Sequence, residues 1–263
     1  MMIWRDGALI EQNATDASDR GAYLGDGLFE TILWSRGRAV RLARHVARLS
    51  ASAEALGFAA PALGNIETAF AELARAHNLT DARAAINLRL STLGPRGLDR
   101  GSIGVTLSAR IAPLAASAKS LTLASVAIRR NETAPSSRHK TLSYIDQIAA
   151  RSEARALGAE EAVQLSIAGN VASAAAGNLV FVIDDRALTP KLSDGALPGT
   201  VRAELLERGF IAEATLTPAD AVRASAVAVT NATFGVRSAT SLDKRALAPE
   251  SAVIATLCAA IQD

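Results

Sequence analysis

Short β-rich runs alternate with helically spaced apolar segments on both sides of a single break in this 263-residue chain. That alternation restricts the chain to mixed architectures. In the first half, Ile3-Trp4 and Ala8-Leu9-Ile10 read as a hairpin around Asp6-Gly7. Leu28 to Trp34 reads as a strand, residues 35–38 as a turn, and Ala39 to Leu42 as the returning strand. Leu42, Val46, Leu49, Ala53 and Leu56 then recur at helical spacing, and Gly57 stops that helix. A helix near Ile66 to Ala76 and strands at Ala84 to Thr92 and Ile103 to Ala109 follow. The break runs from Ile111 to Ala118, where Pro113 opposes regular structure. Beyond it the sequence predicts a strand at Leu121 to Ile128, a polar loop from Arg129 to His139 and a long helix from Ser143 to Leu157. Short strands near Ala162–Ser166 and Leu179–Ile183 come next, then a turn at Asp184-Asp185-Arg186. A helix opens at Gly199 and runs to about Arg208; Val227 to Thr230 reads as strand and Pro249 to Ile261 as the last helix. The pattern predicts an α+β chain with an N-terminal domain over residues 1–112, a linker over 113–119 and a C-terminal domain over 120–263.

With 49% hydrophobic and 21% charged residues the chain can bury a real core. Its formal net charge of +2 is too small for a nucleic-acid surface, despite a pI near 9.0. The single cysteine, Cys258, excludes a disulfide within the chain and a zinc site of several thiolates. With His45, His77 and His139 as the only histidines, no metal site is expected. The longest run without charge, Ala162 to Ile183, is interrupted by Gln164, Asn170, Asn178 and glycines, which makes a poor membrane span. No targeting pattern is visible at the N-terminus, so the expectation is a cytoplasmic protein, with neither nucleic acid nor membrane as partner. Phosphate-loop, HExxH and GxSxG motifs are absent.

Lysine is scarce. Lys119, Lys140, Lys191 and Lys244 are the only four, so chemistry that needs an amine has four candidates. Lys140 follows Arg138 and His139 at the end of the polar loop. A desolvated lysine beside other cations has a lowered pKa and supplies the neutral amine of a Schiff base; the alternative is a surface lysine in a charged loop. In Leu197-Pro198-Gly199-Thr200-Val201-Arg202 a glycine stands at a helix start, where backbone N–H groups can hold a phosphate; the alternative is an ordinary helix entry. Gly25-Asp26-Gly27 precedes a strand and is either a ligand loop or a structural turn.

Taken in order, five stretches are similar to the class IV (fold type IV) aminotransferases that use pyridoxal 5'-phosphate. They are residues 19–31 (Asp-Arg-Gly-Ala-Tyr-Leu-Gly-Asp-Gly-Leu-Phe-Glu-Thr), 41–49 (Arg-Leu-Ala-Arg-His-Val-Ala-Arg-Leu), 140–144 (Lys-Thr-Leu-Ser-Tyr), 177–180 (Gly-Asn-Leu-Val) and 197–202. The resemblance implies a two-domain fold like that of D-amino-acid aminotransferase, with a small N-terminal α/β domain and a larger C-terminal pseudobarrel domain, a homodimer, and a small-molecule, amino-acid-like substrate. It implies that Lys140 forms the Schiff base and, once released, removes the substrate Cα proton. Arg48 would bind the cofactor phosphate with Gly199 and the backbone of Thr200 and Val201. Leu197 would pack on the ring, Tyr144 would approach the phenolate, and Asn231 would lie on a second phosphate-side segment. The family's Gly-x-Val-x-Glu glutamate pairs with the ring nitrogen, but Gly169-Asn170-Val171-Ala172-Ser173 puts Ser173 there. A hydroxyl brings no charge, so the chemistry tolerates a weaker electron sink, another acid enters, or turnover is low.

Within the family, Thr31 matches a threonine near the reacting centre of the 4-amino-4-deoxychorismate lyases, which make 4-aminobenzoate and pyruvate for folate synthesis. Residues 230–237 (Thr-Asn-Ala-Thr-Phe-Gly-Val-Arg) also lean that way. Gly94-Pro95-Arg96-Gly97-Leu98 lacks the Arg-x-His carboxylate trap of D-amino-acid transaminases, although Arg96 can still bind a substrate carboxylate, beside Phe29 as a substrate contact. The alternatives are an amino-acid transaminase of branched-chain or D-amino-acid type and a cofactor-binding protein without turnover.

Overall fold

The first unit is built from three antiparallel strand pairs in one sheet, with two longer helices packed against it and one short helix besides. The computed structural model describes residues 1–11, 16–59, 63–100, 104–115 and 120–261. Strands β1 (Met2–Arg5) and β2 (Ala8–Glu11) meet at Asp6-Gly7, both with positive φ, as the tight Asp-Gly turn requires. A short helix α1 (Arg20–Leu24) precedes β3 (Gly27–Ser35), which turns at Arg36-Gly37 into β4 (Arg38–Ala39). Helices α2 (Leu42–Ala55) and α3 (Ile66–Ala76) follow, then the long antiparallel pair β5 (Ala84–Leu93) and β6 (Gly104–Pro113). The sheet order is β2-β1-β6-β5-β3-β4. Its core gathers Trp4, Ile32, Trp34, Ile86 and Leu88 against Leu49 and Ala53 of α2 and Phe70 and Leu73 of α3. The apolar spacing that marked both helices is the stripe they bury there.

Pairing continues through Pro113, so the expected break at Ile111 is a strand: Ile111, Ala112 and Pro113 lie opposite Ile86, Ala85 and Ala84. Proline is tolerated here because it closes the strand, where a missing donor costs little. Residue 103, expected to open this strand, and residues 116–119 of the expected linker lie outside the described residues.

By its contacts the first unit comprises Met1–Ala116 with Lys140–Ser143, and the second Ser117–His139 with Tyr144–Asp263. The second unit begins with β7 (Ser120–Ser125), shorter than its sequence reads, and α4 (Pro135–Arg138), a helical turn inside the expected loop. There follow α5 (Ile145–Ala156), β8 (Glu161–Leu165), β9 (Val171–Ala174), β10 (Asn178–Ile183), β11 (Arg186–Pro190), α6 (Thr200–Glu207), β12 (Ala212–Ala214), α7 (Pro218–Arg223), β13 (Ala226–Asn231), β14 (Gly235–Leu242), β15 (Arg245–Ala246) and α8 (Ala252–Ala260). Eight of these strands run β12-β11-β10-β13-β14-β7-β8-β9, with β15 added on β14. The sheet is mixed, because β7 runs parallel to both β14 and β8. One side packs Leu179, Phe181, Val227 and Val229 with Val163 and Val171; the other sets Val180, Val182 and Ala228 against Val201 and Leu205 of α6 and Ile254 and Leu257 of α8. Strand β10 is buried throughout, which its unbroken apolar run requires. Among the described residues no helix is long and apolar enough to cross a membrane.

Candidate active site

Lys140 is held on the edge of the first unit's sheet. Strand β4 pairs only with Trp34 and Ser35, which leaves one edge of the start of β3 open. Residues 140–142 occupy that edge: the Phe29 N–H donates to the Lys140 carbonyl (2.9 Å), the Leu142 N–H donates to the Gly27 carbonyl (2.9 Å), and Thr141 bridges Leu28. Glycine at position 27 makes the approach possible. A Cβ there would lie 2.4 Å from the Leu90 carbonyl oxygen and 2.6 Å from Leu142 Cδ1. The Gly-Asp-Gly stretch is therefore the seat of the lysine segment, and Asp26 within it is tied to Arg20 and Arg100. Lys140 Nζ lies 4.1 Å from the centre of the Phe29 ring, over its electron-rich face.

Along β3, Leu28, Glu30 and Ile32 are buried, whereas Phe29 and Thr31 are half-buried. His45 and Arg48, three residues apart on α2, both reach Glu30. Arg48 donates Nε to Oε1 (2.7 Å) and Nη2 to Oε2 (2.5 Å), the two-pronged arrangement that fixes a guanidinium plane. His45 Nδ1 lies 2.7 Å from Oε2, and Glu30 and His45 are each only 1% exposed. Burial works to raise the Glu30 carboxyl, but the bonds from His45 and Arg48 outweigh it and hold it below the ordinary range. Burial pushes the His45 imidazole below its ordinary value against the pull of Glu30, with the charges of Arg48 and Lys140 acting in the same direction as burial. The imidazole is thus neutral and gives its Nδ1 hydrogen to the carboxylate. Thr31 Oγ1 accepts from Asn87 Nδ2 (3.1 Å), which leaves its own hydrogen to donate elsewhere. Arg96 stands on an exposed turn whose neighbouring carbonyls, Pro95 and Gly97, are held by the buried Arg20.

In the second unit the expected helix start is present. Gly199 is the N-cap of α6 and offers no capping side chain to the helix. It packs on Asn178, whose Nδ2 donates to the Leu197 carbonyl (2.8 Å); a Cβ on residue 199 would lie 2.0 Å from Asn178 Oδ1. Thr200 and Val201 are buried, and Leu197 is half-buried. Ser173, on β9, is 3% exposed and donates its hydroxyl to the Gly177 carbonyl (3.0 Å), next to Asn178. Asn231 closes the turn after β13: its Oδ1 accepts from the Thr233 and Phe234 backbones and its Nδ2 donates to Ala176. Its side chain thereby ties the turn after β13 to the β9–β10 turn. Tyr144 is the half-buried N-cap of α5. Ser173, Asn178, Leu197 and Gly199 are thus joined through neighbouring hydrogen bonds and close packing, and Phe29, Thr31, Arg48 and Lys140 share one region of the first unit.

Sequence reasoning passed over Arg130. It is buried, with Nε donating to the Gly195 carbonyl (2.7 Å) and Nη2 to the Ser137 carbonyl (3.1 Å), and burial pushes it below the ordinary arginine value. It also passed over Asn87, and it quoted Asn178 without a role. The one available signal for Asn178 was a polar residue opening an otherwise apolar strand. Among the described residues no cluster of three metal-ligating side chains occurs.

A profile of the amino-transferase class IV family matches residues 27–242. The chain is 27% identical over 266 residues to an aminodeoxychorismate lyase from Vibrio harveyi, covering 96% of this chain and 94% of that protein. A candidate 4-amino-4-deoxychorismate lyase from Legionella pneumophila superposes with a TM-score of 0.86 at 27% identity, covering 94% of this chain and 93% of the other. A hypothetical aminotransferase from Mycobacterium tuberculosis, in its pyridoxal-phosphate-bound form, has a TM-score of 0.83 at 22% identity over 99% and 97% of the two chains, a likeness of fold alone. With its matched segments spread over both units, this chain belongs to the class IV aminotransferase family, enzymes with the two-domain α+β architecture of fold type IV that depend on pyridoxal phosphate.

Proposed function

We propose that this enzyme is a lyase that converts 4-amino-4-deoxychorismate into 4-aminobenzoate and pyruvate. The residues fit the cofactor. The uncapped start of α6, where residue 199 has no room for a side chain against Asn178, leaves backbone for a phosphate, and an amine is fixed by backbone pairing at Lys140. When bound, pyridoxal phosphate supplies an aldehyde that captures an amine and a ring that draws electrons from the neighbouring carbon.

Lys140 is the amine for that aldehyde and, once displaced by substrate, the base that takes the proton from the carbon bearing the substrate nitrogen. Within the second unit the backbone of Thr200 and Val201 would hold the phosphate, Leu197 would pack on the ring and Tyr144 would approach the phenolate; within the first unit Arg48, oriented by Glu30, would be a phosphate ligand. Thr31, whose oxygen accepts from Asn87, gives its hydrogen to the departing enol-ether oxygen. Arg96 binds a substrate carboxylate beside Phe29. A homodimer is part of this reading, supported by the exposed apolar side chains of Tyr23 and Leu24.

The observation that carries the reading is the seating of Lys140, one of four lysines, between two backbone hydrogen bonds and over the Phe29 ring. Similarity to the Vibrio lyase over 96% of the chain favours elimination over amino transfer. Incubating the loaded protein with 4-amino-4-deoxychorismate should release pyruvate and 4-aminobenzoate in equal amounts. Amino transfer from an amino acid to an α-keto acid, with no pyruvate from that substrate, would assign a transaminase instead.

A further inference from the structure

We infer that the end of the site that receives the cofactor's ring nitrogen is uncharged, so that Ser173 and its sheet partner Gln164 hold a neutral pyridine rather than a protonated one. The inference rests on the functional reading above and concerns what this chain does to the ring. Ser173 is placed there by a short path within one unit. Its hydroxyl donates to the Gly177 carbonyl, Asn178 follows, and Asn178 grips Leu197 and abuts Gly199 at the helix start. Phosphate end, ring-packing leucine and Ser173 therefore belong to one hydrogen-bonded set.

Gln164 on β8 is the register partner of Ser173 on β9, so the two side chains share a sheet face. It is fully buried and its Oε1 has no partner among the described residues, while its Nε2 makes only a long 3.5 Å contact to the Ile128 carbonyl. An under-used amide beside a buried hydroxyl leaves polar capacity for a ligand group, and the Nε2 hydrogens, held only by that long contact, are the donors a bare ring nitrogen needs. Both members are neutral. Ser173 has one hydrogen, committed to Gly177; the hydroxyl can accept from a ring N–H, or turn that hydrogen to a bare ring nitrogen, and in neither case does it add charge.

The buried acids of this unit have other partners. Glu161 accepts the backbone N–H groups of Ala162 and of Ala175, two residues beyond Ser173, and faces Arg151 at 3.6 Å. Asp194 takes the Asn170 amide on Oδ1, while its buried Oδ2 has no hydrogen-bond partner among the described residues, which makes it the one rival acid. Arg130, bonded to the Gly195 carbonyl, adds a positive charge next to the Asp194 segment, which further disfavours a cationic ring. Removing a pyridinium from water without a counter-charge is unfavourable, and two neutral side chains that can donate to a bare ring nitrogen do not offset it. The ring is then a weaker electron sink than a carboxylate would make it.

The test is nitrogen-15 NMR of pyridoxal phosphate labelled at the ring nitrogen and bound at pH 7.5 to the wild type, Ser173→Asp and Asp194→Asn. Binding itself, read by the protein-induced change in cofactor absorbance, is a separate result: no binding to the wild type defeats the functional reading, not this one. With binding established, the wild type should give the shift of an unprotonated pyridine, Ser173→Asp the shift of a protonated one, and Asp194→Asn no change from wild type. A protonated signal in the wild type overturns the inference, and its loss in Asp194→Asn would identify the acid responsible. If Ser173→Asp does not fold, Gln164→Glu supplies the charge from the paired strand with the same expected outcome, and an unprotonated signal in either folded carboxylate variant also overturns the placement of Ser173 at the ring nitrogen.

Discussion

Replacing Gly199 with alanine should destabilise the second unit through one identifiable clash. The new methyl would sit 2.0 Å from Asn178 Oδ1 and 3.2 Å from its Cγ, while the backbone at residue 199, with φ of −69°, accepts alanine without strain. Asn178 cannot move without breaking its 2.8 Å bond to the Leu197 carbonyl. Losing that buried bond costs about 1–3 kcal/mol and crowding a packed site costs about 1–3 kcal/mol; breaking the bond relieves part of the crowding, so the two do not add in full and a total near 2–4 kcal/mol is expected. Asn178→Ala alone should lose about 1–3 kcal/mol but open the space the methyl needs. In that background Gly199→Ala should cost less than about 1 kcal/mol, a coupling of about 1–3 kcal/mol. Urea unfolding of the four proteins without added cofactor measures this directly. Equal costs of Gly199→Ala in both backgrounds would refute the reasoning, because they would show that Asn178 is not what excludes a side chain from position 199.

Two further outcomes follow from the first unit. Glu30→Ala leaves the Arg48 guanidinium and His45 without their shared buried carboxylate, and unfolding should be easier by about 3–5 kcal/mol; a loss under about 1 kcal/mol by urea unfolding would show that the triad contributes little. Stability should also fall on acidification. His45 and Glu30 both titrate lower in the fold than in the unfolded chain, so their contribution is complete above the unfolded values and is lost as pH falls through the folded ones. A thermal midpoint that is flat near pH 7–8 should decline below about 6.5, the ordinary histidine value, and more steeply below about 4.5, that of a glutamate. A midpoint unchanged down to pH 5 would contradict the neutral assignment of His45.

How much of this was legible in the sequence differs from element to element. Strand β3 and helices α2 and α3 stood out because their apolar spacing is the buried stripe itself. Strand β14 did not, since Arg237, Ser238, Thr240 and Ser241 conceal it; it is held by pairing to β13 and β7 and buries only the side chains of Ala239 and Leu242 in the core. Pro113 misled for the opposite reason, being a breaker placed where the strand was ending anyway. In the candidate site, Lys140 was singled out by the scarcity of amines and by its motif. The tie from Glu30 to His45 and Arg48 was not, because it joins a strand to a helix 15 and 18 residues away, and no local pattern encodes that reach. Arg130 stayed hidden in a polar loop because it bonds to the backbone carbonyls of Gly195 and Ser137, which leave no signature in side-chain types.

The most direct measurement is borohydride reduction of the protein loaded with pyridoxal phosphate, followed by peptide mass spectrometry of the wild type and Lys140→Ala. The account predicts one cofactor adduct on the peptide carrying Lys140 in the wild type and none in the variant. An adduct on Lys119, Lys191 or Lys244, or equal labelling of both proteins, would contradict it.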